Sequence, residues 1–303
     1  EIPVHVEFFH DIADLVAEKE KLIRAVPTNG MIILDRDDRF VSGMKEHAGA
    51  KIFTYGFHKG ADFRMIFCKP KITEQRGAMV PMGIQCKFEY KGNIIPFALN
   101  ETIGIPHAIS ALAAIAVAYA LGMNLVEAAE ALQEFIPPPG RLRLIQGIRD
   151  SLIIDDTYNA APESMHAALD TLEMLPGKRK VAVLGDMLEL GRFSKDAHES
   201  VGERAAEFAD LLFAVGPNAY SIATGATHPS IKKKKPMQFD HVFQCSDAHA
   251  AGKTVKRMVR AGDLILVKGS QGMRMERIVE QIMAHPPDAR RLLVRQDYNW
   301  KKK

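Results

Sequence analysis

A chain of 303 residues has room for two domains. Its composition, 47% hydrophobic and 25% charged, is that of an ordinary globular protein, and no apolar run approaches the roughly 18 residues of a membrane span. The net charge of +3 is too small to argue for a nucleic-acid partner, and three separated cysteines (Cys68, Cys86, Cys245) without a CxxC spacing fit a reducing cytoplasm with neither disulfide framework nor zinc site.

The chain opens Glu1-Ile2-Pro3-Val4-His5 without a methionine, so it reads as cut from something longer. Residues 11–26 predict an amphipathic helix with Ile12, Leu15, Val16, Leu22, Ile23 and Val26 on one stripe. Lys19 falls on that stripe and must either snorkel to water or meet a partner. Met31 to Leu34 predicts a strand ending in Asp35-Arg36-Asp37-Asp38, and Ala50 to Thr54 another. Short alternating strands follow from Ala61 to Leu99, with Lys91-Gly92-Asn93 as a hairpin signal, giving a small, partly antiparallel sheet. Helices are expected over 106–121 and 125–134. Pro137-Pro138-Pro139-Gly140 is the clearest boundary, dividing the chain into 1–136 and 137–303. Beyond it, strands at 151–155, 180–185, 211–215, 241–244 and 263–268 alternate with helices, with a last strand near 291–295. That rhythm predicts an α/β, doubly wound, mainly parallel sheet. The Lys232–Lys235 and Lys301–Lys303 runs read as a solvated loop and a frayed tail.

Chemistry gathers where strands end, the place at which open α/β sheets bind ligands. Ile153-Ile154 runs into Asp155-Asp156-Thr157-Tyr158-Asn159 before Pro162 opens a helix, a set of acid, phenol and amide groups suited to a ribose and a purine. The alternative is a turn that merely caps the helix. Gly185-Asp186-Met187-Leu188-Glu189-Leu190-Gly191 puts two acids past a strand, either to receive an ammonium group or as solvated loop residues. Lys268-Gly269-Ser270-Gln271-Gly272 before a helix is a plausible anion site, although no Walker A sequence occurs anywhere in the chain. Arg141 and Arg143 follow the proline hinge, where a guanidinium either bridges phosphates or simply lies on the surface. His5 and Glu7 precede the Lys19 helix. A buried lysine has its amine neutralised by desolvation, and a neutral amine can take up carbon dioxide to give an oxygen ligand for Mg²⁺.

These segments together resemble the Mur ligase family. The resemblance rests on Gly140-Arg141, Asp155-Asp156-Thr157-Tyr158-Asn159-Ala160 with Pro162 and Ser164-Met165, Gly185 to Gly191 with His198 and Val201-Gly202, and Lys268-Gly269-Ser270 with Met275-Glu276. Val4-His5-Val6-Glu7-Phe8-Phe9 and Glu18-Lys19 carry it into the first half. It implies the remainder of a central ATPase domain over 1–136, then a Rossmann-like C-terminal ligase domain over 137–303. The family's N-terminal domain and phosphate loop would lie upstream, so the chain by itself is expected to be inactive. The implied reaction is cytoplasmic and ATP-driven: an acyl phosphate of UDP-N-acetylmuramoyl-tripeptide is attacked by the amine of D-alanyl-D-alanine, in the synthesis of the cell-wall precursor. ATP and Mg²⁺ are the implied cofactors. Lys19, carbamylated, and His5 would be catalytic ligands of the metal. Arg141 would meet nucleotide phosphates, Asp156 the ribose, and Tyr158, Asn159 and His107 the nucleotide. Asp186, Glu189, Lys268 and Ser270 would face the peptide substrates.

The sequence departs from the family at Ala161, where an asparagine is usual, at Ser110, and at Gln271 after Lys-Gly-Ser. Two other readings stay open: a related amide ligase such as folylpolyglutamate synthetase, and a non-catalytic nucleotide-binding protein.

Overall fold

The computed structural model describes residues 6–75, 77–228 and 236–302. Two compact units emerge, one comprising Phe9–Thr73 and Pro81–Ile136, the other Pro137–Lys303 with the short stretches Glu1–Phe8 and Glu74–Val80.

The first unit begins with helix α1 (Ile12–Ala25), whose N-terminus is capped by the Asp11 carboxylate accepting from the Asp14 N–H at 3.0 Å. Strand β1 (Met31–Asp35), the short helix α2 (Arg39–Gly43) and β2 (Lys51–Gly56) follow, then the long pair β3 (Phe63–Gln75) and β4 (Ala78–Tyr90), and β5 (Asn93–Asn100). Their order in the sheet is that of the sequence. β1, β2 and β3 run parallel, whereas β4 and β5 form an antiparallel hairpin turning at Lys91-Gly92. Helices α3 (Ile105–Ala120) and α4 (Leu125–Ala131) complete the unit, and α3 contributes Ala108, Ala111, Leu112 and Ile115 to a core with Phe63, Met65, Ile84, Phe88 and Leu99. The small alanines let the helix lie close over a sheet face crowded with rings. Phe63 stacks on Tyr90 at 4.4 Å between centroids, and Tyr119 meets both edge-on.

The cysteines are closer than their sequence separation suggested. β3 and β4 bring the sulfurs of Cys68 and Cys86 to 3.4 Å.

The second unit is built on β6 (Arg143–Gln146), β7 (Leu152–Asp156), α5 (Pro162–Met174), β8 (Arg179–Gly185), α6 (Ser194–Ala206), β9 (Leu211–Val215), α7 (Ala219–Thr227), β10 (Val242–Cys245), α8 (Ala248–Met258), β11 (Asp263–Lys268), α9 (Glu276–Ile282), α10 (Ala289–Leu292) and α11 (Tyr298–Lys301). The sheet order is β10-β9-β8-β11-β7-β6, parallel except for β6 against β7. Buried on both faces, β8, β9 and β11 read as continuous apolar runs, as interior parallel strands must. Where α6 and α7 meet, each supplies a glycine to the other's backbone. A Cβ on Gly202 would stand 1.9 Å from the Ile222 carbonyl oxygen, and one on Gly225 would stand 1.9 Å from that of Glu199.

Two expectations fail here. Residues 291–295 are not a strand: α10 ends at Leu292, Leu293 turns into the core, and Arg295 takes a left-handed φ of 57°. An apolar Leu-Leu pair is too short to distinguish a strand from a helical turn. The C-terminal lysines are not wholly a frayed tail either, because Asp297 caps α11 and Lys301 pairs with Glu280 at 3.7 Å. The Lys232–Lys235 run lies outside the described residues. Among the described residues no helix is long and apolar enough to cross a membrane.

Candidate functional site

β11 is inserted between β7 and β8, so the chain segments after Asp156, Gly185 and Lys268 leave the sheet side by side at its carboxyl edge. Lys268 is in register with Asp156 on one side and Leu184 on the other. The loops singled out from sequence thus converge at one edge, as ligand sites of open α/β sheets do.

Their charged groups, however, are largely spent on one another. Lys268 is 2% exposed and its ammonium lies 2.6 Å from the Asp156 carboxylate while donating to the Asn159 carbonyl at 2.9 Å. Asp156 also accepts the Leu142 N–H at 3.2 Å. Its neighbour Asp155 is fully buried and accepts from the Thr157 hydroxyl at 2.6 Å and the Gly140 N–H at 3.1 Å. Burial pushes the Asp155 carboxyl up to about 7, against the opposing pull of those hydrogen bonds. The two acids therefore tie the Gly140–Leu142 segment to the end of β7. Asp156 was expected to reach a ribose and Lys268 a peptide; in this arrangement both point inward.

The loop after β8 is held in the same way. Asp186 is 1% exposed and accepts from the Asn218 backbone N–H at 3.1 Å and its side-chain amide at 3.0 Å. The Ser270 N–H donates to the Asp186 carbonyl at 2.9 Å, and the buried Ser270 hydroxyl accepts the Leu188 N–H at 2.8 Å. On the other flank, His198 accepts the Met187 N–H at Nε2 (2.9 Å), which leaves Nδ1 to donate to the Ser194 carbonyl at 2.6 Å. Burial holds the His198 imidazole below its ordinary range, in keeping with a neutral ring. Asp186 and Ser270 thus shape the loop instead of facing outward, while Leu188 and Glu189 are exposed at its tip, Glu189 with a left-handed φ of 63°.

Around Tyr158 the surface opens. Tyr158 is 43% exposed, with the Arg141 guanidinium 4.0 Å and that of Arg295 5.9 Å from the centre of its ring. Arg295 donates to the Thr157 carbonyl at 3.0 Å, to Glu276 at 3.1 Å, and to the Tyr158 carbonyl. Sequence reading missed Arg295 because it was placed in a strand, and missed Asn218, although Gly216-Pro217-Asn218 after a strand is a turn signal. Beside Tyr158, Ala161 cannot cap α5; the Ser164 hydroxyl accepts the Ala161 N–H at 2.9 Å instead.

In the first unit, Lys19 is exposed, not buried, so the argument from a desolvated amine does not apply to it. The stripe on which it lies is shallow: Leu15 is its one buried member and Leu22 is 74% exposed. His5 lies outside the described residues. His107 is half-buried near the start of α3, with its ring 5.9 Å from that of Phe135. The acids after β1 serve the local chain: Asp37 accepts from the N–H groups of Phe57 and His58 at 2.7 and 2.8 Å, and Asp38 caps α2.

The family of the Mur ligase middle domain matches residues 3–118, and that of the Mur ligase glutamate ligase domain matches residues 140–271. A UDP-N-acetylmuramoyl-tripeptide–D-alanyl-D-alanine ligase of Synechocystis sp. is 34% identical over 61% of this chain and 38% of its own length. Among solved structures, MurF from Acinetobacter baumannii (26% identity, TM-score 0.76) covers 92% of this chain and 57% of its own. MurF ligase from Thermotoga maritima in complex with ADP (25%, TM-score 0.73) covers 91% and 58%. The chain therefore spans less than two thirds of each of these relatives. Two consecutive domain matches, joined to a sheet whose loops converge as described, show that the chain belongs to the Mur ligase family.

Proposed function

We propose that this chain is the middle and C-terminal part of an ATP-dependent ligase that joins D-alanyl-D-alanine to UDP-N-acetylmuramoyl-tripeptide in peptidoglycan precursor synthesis. The reading is supported chiefly by the convergence of the β7, β8 and β11 loops at one edge, in a chain that aligns along 91–92% of its length with MurF structures. ATP would supply the phosphoryl group that activates the tripeptide carboxylate, and the dipeptide amine would then displace phosphate. On this reading the enzyme works in the cytoplasm.

The chain's own residues divide that work. The exposed Tyr158 ring offers a platform for the nucleotide, and Arg141 beside it presents N–H groups to phosphates. Asp155, Asp156 and Lys268 hold the platform in place from beneath. Of the acids proposed to face the peptides, Glu189 is the exposed one and would receive the dipeptide ammonium. Among the described residues the one group of three potential metal ligands is His10, Asp11 and Asp14, all exposed, with Asp11 engaged in capping α1. Those residues do not make a fitting Mg²⁺ site, and Lys19 is exposed.

The test is calorimetric titration of this chain with ADP, together with turnover of the longer protein that contains it. Phosphate release dependent on D-alanyl-D-alanine is the expected result. Release dependent on glutamate would overturn the substrate reading, and ADP binding without any ligation would leave a nucleotide-binding protein.

A further inference from the structure

Cys68 and Cys86 sit on the adjacent strands β3 and β4 with their sulfurs 3.4 Å apart. Cys86 is 2% exposed within the first unit's core, whereas Cys68 is half-buried at the margin of that core. The Cys86 thiol donates its hydrogen bond to the Cys68 sulfur, so the more accessible sulfur is the one whose thiolate is stabilised. That bond draws the Cys68 thiol below its ordinary range, while the same bond and burial hold Cys86 far above it. Accessibility and hydrogen-bond direction thus assign the same roles: a nucleophile at Cys68 and a waiting partner at Cys86.

We propose that Cys68 and Cys86 form a peroxide-responsive pair that closes reversibly to an intramolecular disulfide. The Cys68 thiolate attacks one oxygen of hydrogen peroxide; an S–O bond forms, the O–O bond breaks, and hydroxide leaves to be protonated to water. The Cys86 sulfur then attacks the Cys68 sulfenic acid; the S–S bond forms, the S–O bond breaks, and the Cys86 proton departs with the leaving hydroxide as a second water. Two thiols lose two electrons and two protons, and one peroxide becomes two waters. Closure requires the sulfurs to approach by about 1.4 Å, given the usual S–S length. Cys245, in the other unit near the end of β10, is an internal control: its thiol is raised by burial and by Asp247.

The experiment exposes the folded, reduced chain to a small excess of hydrogen peroxide, blocks remaining thiols, and digests without reductant. The expected products are a peptide linked through Cys68 and Cys86, an intact mass lower by two hydrogens, and full recovery of both thiols with dithiothreitol. The Cys68 thiol should disappear at least about tenfold faster than that of Cys245. In Cys86→Ala, a dimedone-reactive sulfenic acid should collect on Cys68; in Cys68→Ala, Cys86 should react no faster than Cys245. The wild-type chain carries the primary readout, so the result stands even if a variant folds poorly. Equal rates at Cys68 and Cys245, disulfides between chains or to Cys245, or sulfenic acid persisting on Cys68 in the wild type would each overturn the proposal.

Discussion

Replacing Lys268 with methionine should cost more stability than almost any other single change at the carboxyl edge of the second sheet. The methionine fills similar volume but removes the cation from a pair with side chains only 3% and 9% exposed. Asp156 would keep one partner, the Leu142 N–H at 3.2 Å, and the Asn159 carbonyl would lose its donor. Breaking a buried pair from one side costs about 3–5 kcal/mol, because the remaining charge stays desolvated. Asp156→Asn should cost a similar amount by stranding the ammonium. The double variant, in which neither charge is left, should be less destabilised than the sum of the two by about 3 kcal/mol. Urea unfolding followed through Trp300, the single tryptophan, reports on this unit. A matching cycle on the exposed Lys195–Glu199 pair, 3.8 Å apart, should give a coupling of only about 0.3–0.5 kcal/mol. If the Lys268–Asp156 coupling is as small as that of the surface pair, the account of these residues as a buried clamp is wrong.

Asp155 gives a pH signature of opposite sense to an ordinary acid. Its folded-state pKa of about 7 lies above the unfolded value, so the folded protein binds the extra proton between them. Stability from this group is therefore greatest below the unfolded value of 3.8 and is lost as pH rises through the folded value, with about 2 kcal/mol of the loss falling between pH about 5 and about 7. Asp155→Asn should abolish that slope, and unfolding curves for both proteins across this range provide the check. His198, held neutral by burial, works the other way, its contribution being lost as pH falls below the unfolded value of 6.5. Arg141→Ala should weaken ADP binding about tenfold in calorimetry, the loss expected of one charge-assisted contact, while leaving the unfolding midpoint nearly unchanged. Gly202→Ala should destabilise by about 2–3 kcal/mol in urea unfolding, because the added methyl meets the Ile222 carbonyl oxygen at 1.9 Å. Arg295→Met should raise the hydrogen-exchange rate around Thr157 and Tyr158, whose two carbonyls it gathers.

The strand ends were legible because an apolar run that stops at charged residues is a local pattern, and Ile154-Asp155, Leu184-Gly185-Asp186 and Val267-Lys268 all show it. Which ends are neighbours was not legible. β11 arrives last in the chain yet lies between β7 and β8, and only that insertion brings Lys268 against Asp156. The same limit hides from the sequence the partners that Asp156, Lys268, Asp186 and Ser270 take within the fold. Residue type says that a group is polar, while the partner that occupies it is set by tertiary packing. α1 shows a second limit, since periodicity identified the helix but not the depth of its apolar stripe, and so could not choose between a Lys19 that reaches water and one that meets a partner. Cys68 and Cys86, 18 positions apart, meet through a hairpin whose register no spacing rule foretells.

The paired glycines between α6 and α7 have a bearing on the loop after β8. α6 carries His198, which holds one side of the loop after β8; Asn218, immediately ahead of α7, holds the other. Helices in backbone contact at Gly202 and Gly225 cannot slide past each other without a collision, so the two anchors form a bracket of fixed span. A loop strung across such a bracket cannot adapt its frame to a new substrate. On the function proposed above, discrimination among incoming amines would then rest on the side chains at its crest, Leu188 and Glu189, which could be exchanged without redesigning the scaffold beneath them.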